Sequence, residues 1–165
     1  MKKLVVLSGV PGSGKSYFSK ALKEIKTNHV YIVSSDSLRK EMLGSQRNLS
    51  KDETMWKIFF GLVEAYSNDE DGIVILDSTN INSGHRIEIY NRFKNDFDEI
   101  YLISFILNKE VVAQQNKERE YPVPDYVLTM FMDKFEAPKE EEYSLFNKIY
   151  VVSNEQIDLL INDII

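Results

Sequence analysis

Gly9-Val10-Pro11-Gly12-Ser13-Gly14-Lys15-Ser16 concentrates three glycines, a lysine and a hydroxyl in one short run. The spacing fits G-x-x-x-x-G-K-[ST]. Glycines let backbone amides wrap a phosphate chain, the lysine reaches the outer phosphates, and the hydroxyl is a ligand for Mg²⁺. Gly9, Pro11, Gly12, Ser13, Gly14, Lys15 and Ser16 are therefore the candidate nucleotide-binding residues, with ATP and Mg²⁺ as the expected cofactors. A helix that begins at Lys15 would add the positive end of its dipole.

Phosphoryl transfer needs more than a phosphate cradle. It requires a group to orient or deprotonate the acceptor, and cations to balance charge on the moving group. Asp36 and Arg39 stand one helical turn apart, so both could face one pocket if a helix begins near Ser35; otherwise Asp36 is a helix cap and Arg39 a solvated residue. Ile73-Val74-Ile75-Leu76-Asp77 has the form of a hydrophobic strand delivering a carboxylate to a magnesium ion, followed by Ser78, Thr79 and Asn80, which could touch an acceptor. Arg119 stands between Glu118 and Glu120, which suits either a surface ion pair or an arginine carried by a mobile lid over residues 112–124.

Other polar and aromatic residues receive no chemistry. His29 and His85 lack a second histidine or a carboxylate at ligand spacing and are read as structural or solvated. Trp56, Phe59 and Phe60 recur at helical spacing behind Ser50-Lys51-Asp52-Glu53, which matches a capping box, and are read as core. Asp77-Ser78-Thr79-Asn80 lacks the glycine of a D-x-x-G switch, and Asn108-Lys109-Glu110-Val111 lacks the aspartate of a guanine-selecting motif.

The elements that must position these residues follow from periodicity. Apolar runs at Leu4–Leu7, Val30–Val33, Ile73–Leu76, Ile100–Leu107 and Lys148–Val152 predict five strands. Helical spacing predicts helices from Lys15, behind Ser50, over Gly84–Asp96, around Asp125–Phe135 and from about Asn154 to Ile164. Glu118–Pro124 reads as irregular and Pro138-Lys139-Glu140-Glu141-Glu142 as an acidic turn. Continuous apolar strands alternating with helices imply a parallel sheet covered on both faces, with ligands beyond the carboxyl ends of the strands. Gly9–Ser16, Ser34–Arg39 and Asp77–Asn80 are the polar clusters at those ends.

At 165 residues with 43% hydrophobic content, one domain over residues 1–165 is expected. There is no cysteine, which excludes disulfide and thiolate chemistry and fits a reducing, cytoplasmic setting. No apolar run is long enough for a signal segment or membrane span. The net charge of −6 excludes a general nucleic-acid coating role. That charge is asymmetric, because Met1–Lys40 carries eight Lys or Arg against two acids and Glu41–Ile165 twelve against twenty-four.

Taken in order, Met1-Lys2-Lys3 into Gly9–Ser16, Ser35-Asp36-Ser37-Leu38-Arg39, Asp77–Asn80, and Asn116–Arg119 followed by Val123-Pro124 resemble the kinase domain of phage-type polynucleotide 5′-hydroxyl kinases, within the small P-loop kinases. That resemblance implies a P-loop NTPase three-layer sandwich with a five-stranded parallel sheet of order 2-3-1-4-5. It implies Asp36 as general base, Arg39 on an acceptor phosphate and Arg119 as the lid arginine, with Asp77, Ser78 and Thr79 near acceptor and metal. The implied acceptor is a DNA or RNA 5′ end. Gln114 and Gln115 stand where that family often bears another arginine, so a small-molecule kinase and an ATP-binding regulatory module without an acceptor remain as alternatives.

Overall fold

Alternation along the first strand already requires two covering layers. The computed structural model describes residues 1–26, 28–153 and 156–165, and in it Leu4, Val5, Val6 and Leu7 are all fully buried. Successive side chains of a strand point to opposite faces. Leu4 and Val6 accordingly join one apolar cluster, with Met55, Phe59, Val63, Ile89 and Phe93, while Val5 and Leu7 join another, with Phe18, Leu22, Leu160 and Ile161. A strand buried on both sides can only lie inside a sheet sandwiched by helices.

The strands are β1 (Lys3–Ser8), β2 (Val30–Ser34), β3 (Ile73–Asp77), β4 (Glu99–Phe105) and β5 (Lys148–Val152). They form one parallel sheet of order β2-β3-β1-β4-β5. Helices α1 (Lys15–Ile25) and α8 (Ile157–Ile164) supply one face, and α3 (Asp52–Tyr66) and α4 (Ser83–Phe93) the other. Register fixes the upper edge: Ser34 lies beside Asp77, and Ser8 beside Ser104. Helix α2 (Ser35–Leu43) follows β2 directly, whereas α5 (Lys109–Lys117), α6 (Asp125–Lys134) and α7 (Glu140–Leu145) lie between β4 and β5.

Several expectations are corrected. Ser50 does not cap α3; the helix is preceded by Lys51 at a backbone φ of −121° without a side-chain cap, and the Asp52 carboxylate at its start is paired with Arg39. Strand β4 ends at Phe105, and Asn108 caps a helix, α5, by accepting from the Val111 amide. Residues 138–142 are not merely a turn, since α7 begins at Glu140 and draws Glu142 completely out of water. The expected start of the last helix at Asn154 lies outside the described residues.

Glu142 is buried because Arg86 is. Arg86 Nε donates to Glu142 Oε1 at 2.6 Å and Nη2 to Oε2 at 3.0 Å. The remaining donors reach the Asn80 carbonyl (3.0 Å), Ser8 Oγ (3.2 Å) and the Ala137 carbonyl (3.3 Å). Glu142 also accepts from Ser83 Oγ and the Lys139 amide, both at 2.8 Å. A guanidinium with all its donors engaged can tolerate zero exposure. Loss of one partner strands the other charge in the interior. Arg86→Met should therefore destabilise the protein by about 3–5 kcal/mol, measured by urea unfolding, with Arg86→Met/Glu142→Leu recovering a large part of that loss.

Candidate phosphate and acceptor site

Gly9–Ser16 joins β1 to α1, as the sequence requires. Gly12 and Gly14 have φ of 82° and 104°, left-handed values that a side chain resists. Gly12 has a second constraint, because a Cβ there would lie 3.0 Å from the Asn116 backbone nitrogen and 3.1 Å from the Val112 carbonyl. Helix α5 thus rests on the loop. Val10, Val112 and Leu128 seal that contact with a small apolar cluster of their own.

Lys15 curls back over the loop, its Nζ donating to the Val10 carbonyl at 3.0 Å and to Ser13 Oγ at 3.5 Å. Burial pulls its pKa down to about 8; Asp77 and Asp36 oppose the fall and Arg119 adds to it. Ser16 Oγ donates to Asp77 Oδ2 at 3.2 Å, and Ser19 Oγ reaches the same oxygen at 3.5 Å. Burial raises the Asp77 pKa despite the nearby Lys15 charge. Ser16 and Asp77 thus offer converging hard oxygens, which suit Mg²⁺, an ion that takes few protein ligands and fills its shell with water and phosphate oxygens. Among the described residues no three acidic or histidine side chains cluster into an all-protein metal cage.

Ser34, not Asp36, caps α2, accepting from the Ser37 amide at 3.2 Å. That leaves Asp36 free in the first turn, 46% exposed, with Arg39 Nη1 3.4 Å from one oxygen and Arg119 Nη2 3.5 Å from the other. Arg119 reaches it because Asn116, 2% exposed, pins the segment after α5: its amide donates to the Val123 carbonyl (2.9 Å) and accepts from the Val123 amide (3.1 Å). The arginine pairs across the cavity rather than with its flanking glutamates. Its Nη1 is buried without a hydrogen-bond partner, the situation of a donor aimed at an anion.

A cavity of about 860 Å³ opens above these groups. Pro11, Gly12, Gly14, Lys15 and Ser16 form its floor, and Asp36, Asp77, Ser78 and Thr79 extend it along the strand ends. Arg39, Asp52 and Trp56 wall one side, and Arg119, Tyr126 and Phe131 the other. Gly9, Ser13 and Asn80 do not line it. Asn80, 4% exposed, is a brace: its amide donates to the Leu7 carbonyl at 2.7 Å and accepts from Ser78 Oγ at 2.9 Å.

Sequence reasoning missed two residues here. Asp52 grips Arg39 side-on, with Nε and Nη2 each 3.0 Å from a carboxylate oxygen, and leaves that guanidinium only 12% exposed. Trp56 packs on Phe59 and Phe60 as expected of a core residue, yet it also lines the cavity, with the Arg39 guanidinium 5.7 Å from its ring. The local pattern of a helix start concealed the first, and helical periodicity the second. His29 does have a carboxylate partner, Asp69, at 2.7 Å, but neither histidine lines the cavity.

Sheet order, loop geometry and the convergence of Lys15, Ser16 and Asp77 define a kinase-like P-loop fold. Within that class, the model of the family described as chromatin associated protein KTI12 matches residues 2–164, and the chain belongs to that family. It is 25% identical over 147 residues to Protein kti12 of Schizosaccharomyces pombe, covering 82% of this chain and 52% of that one. It is 26% identical over 170 residues to the L-seryl-tRNA(Sec) kinase of Methanococcus maripaludis, covering 98% and 64%. The chain therefore spans about half to two thirds of these relatives' length. Among solved structures, Chaetomium thermophilum Kti12 in complex with ADP-AlF3 superposes with a TM-score of 0.70 at 19% identity, covering 98% of this chain and 96% of that one. A fungal RNA kinase does so with a TM-score of 0.69 at 16% identity, covering 99% and 43%.

Two outcomes follow from this geometry. Lys15 must be charged to hold an anion, and its pKa near 8 means that it is losing its proton above that pH. MgADP affinity should therefore fall as pH rises from 7.5 to 9.5, by roughly tenfold per unit above 8, with proton uptake visible by calorimetry in buffers of different ionisation enthalpy. Gly12→Ala should both weaken MgADP binding and raise amide hydrogen exchange in α5, because the added methyl pushes that helix off the loop.

Proposed function

We propose that this chain binds ATP·Mg²⁺ and transfers the γ-phosphoryl group to a hydroxyl carried by a nucleic acid, preferentially a 5′-hydroxyl. The observation that carries the proposal is Asp36, a half-exposed carboxylate held across one cavity from Lys15, Ser16 and Asp77. Holding phosphates and Mg²⁺ does not require a second carboxylate there, whereas deprotonating an acceptor hydroxyl does. The names of two relatives, an L-seryl-tRNA(Sec) kinase and an RNA kinase, support a hydroxyl on or near RNA.

Each residue then has a role. Amides of residues 12–16 and the Lys15 ammonium hold the phosphates, while Ser16 and Asp77 hold Mg²⁺, which neutralises phosphate charge when bound. Asp36 takes the proton of the acceptor hydroxyl; the acceptor oxygen bonds to the γ-phosphorus as its bond to the bridging oxygen breaks, and ADP leaves. Arg119 stabilises charge on the transferring group, for which its unpartnered Nη1 is suited. Ser78 and Thr79 meet the acceptor beside Asp36, and the segment over residues 112–124 is the lid of a single domain.

A second reading is favoured by one observation. Asp36 is ion-paired to both Arg39 and Arg119, so it is not an open base in this state. In a nucleotide-dependent regulator that pairing would be the device itself, sensed when phosphates draw Arg119 away. The two readings separate on transfer of labelled γ-phosphate to 5′-hydroxyl DNA and RNA oligonucleotides. Transfer should fall at least a hundredfold in Asp36→Ala and in Lys15→Ala, while only Lys15→Ala abolishes ATP binding. Labelling of no hydroxyl compound by a protein that still binds ATP would sink the kinase reading and leave the regulator.

A further inference from the structure

We propose that the cavity has a second compartment that binds the phosphate-bearing unit next to the reacting one, so that the acceptor is an oligomer joined by phosphodiesters rather than a free metabolite. The proposal rests on the phosphotransfer reading and adds the residues that would tell a nucleic-acid acceptor from a free metabolite. A hollow of about 270 Å³ lies between the end of α2 and the segment after α5, bounded by Lys40, Arg47, Glu120 and Tyr121. Gln46 and Arg47 line both this hollow and the main cavity, so the two adjoin along these residues.

Helix geometry sets the distance between them. Asp36 and Lys40 are one turn apart on α2, an axial rise of about 6 Å, so a group bound at Lys40 lies within one covalent unit of a hydroxyl at Asp36. Charge then selects what fits. Arg39 is neutralised by Asp52 and is not a free cation for an acceptor phosphate. Among the described residues, neither Lys40 nor Arg47 has a carboxylate within ion-pairing distance, although the chain carries 26 acids against 20 Lys and Arg. Against them stands only Glu120 in the hollow, which leaves the compartment net positive.

Tyr121 supplies the apolar element. It is 41% exposed, and the Lys40 ammonium lies 4.8 Å from its ring centroid and 3.3 Å from its hydroxyl. An exposed ring beside cations without a carboxylate partner is the combination that tracks single-stranded nucleic acid, with sequence-tolerant stacking and phosphate contacts together.

The test is a series of acceptors with ATP·Mg²⁺: adenosine, adenosine 3′-monophosphate, and the 5′-hydroxyl adenylate dimer and trimer. KM should fall at least tenfold from adenosine to the dimer, and Arg47→Ala should raise KM for the dimer at least fivefold more than KM for adenosine. Lys40→Gln and Tyr121→Ala should act in the same direction, which keeps the test intact if Arg47→Ala fails to fold. Equal KM values along the series, or equal losses for dimer and adenosine, would overturn the proposal; so would a monophosphate as good as the dimer, which points to a phosphorylated metabolite. If no acceptor is phosphorylated, the kinase reading fails separately. The compartment is then judged by anisotropy of a labelled adenylate trimer with ADP present: binding lost in Arg47→Ala supports it, and no binding to the wild type refutes it.

Discussion

A guanidinium and a carboxylate withdrawn wholly from water set the limits within which everything above the sheet is arranged. Arg86 and Glu142 are both at zero exposure, and the arginine is bonded to segments that carry the site. Through Ser8 the arginine touches the end of β1, through the Asn80 carbonyl the turn after Asp77, and through Ala137 the chain leading to α7. Burying two charges is costly, and a well-packed apolar substitute would serve stability equally well. What an apolar pair lacks is direction. Five donors and two acceptor oxygens in fixed forks allow one relative placement of β1, β3, α4 and α7, which holds Asp77 at the height of the phosphate loop.

The same economy of pairing governs the cavity. Lys15, with its pKa drawn down to about 8 by burial, bonds only to neutral oxygens, and Arg119 keeps one buried nitrogen without a partner. These are unmet electrostatic demands on the side where phosphates belong. Along α2 they are met: Asp52 engages two Arg39 donors, and Arg39 in turn touches Asp36. The cavity is thus polarised, with Lys15 on its floor and Arg119 Nη1 on its wall lacking an anionic partner, and with charges balanced along α2. Under the proposed reading, a polyphosphate entering the cavity would compete with Asp36 for Arg119, coupling occupancy of one half to freedom of the carboxylate in the other.

Local covalent neighbours made part of this legible. The loop from Gly9 to Ser16 carries its chemistry in contiguous residues, and the strand it follows is apolar on both faces, so sheet class, loop and Asp77 could all be read from short windows. Asp36 was legible as a residue just after a strand, but its partners were not. Arg119 is 83 positions away and stands between glutamates that look like sufficient partners; nothing local says that Asn116 turns it inward. Helix α5 was missed because only Val112 and Asn116 are buried in it, which is no periodic face at all. Glu142 was hidden among identical neighbours, one of three consecutive glutamates of which the structure buries one.

Asp52 shows why residue type and position alone underdetermine an acceptor site. Arg39, one turn beyond Asp36, has the chemistry of a phosphate clamp, and a reading that stops there assigns it to the acceptor's phosphate. A side-on carboxylate at 3.0 Å engages two of its donors and offsets its charge, and the Trp56 ring lies 5.7 Å from the guanidinium. What the arginine retains is one nitrogen toward Asp36, enough to orient the carboxylate through α2. Under the proposed reading, recognition of acceptor charge moves outward to cations without a carboxylate in ion-pairing distance, Lys40 near the end of α2 in the adjoining hollow and Arg47 just beyond that helix, where hollow and main cavity meet.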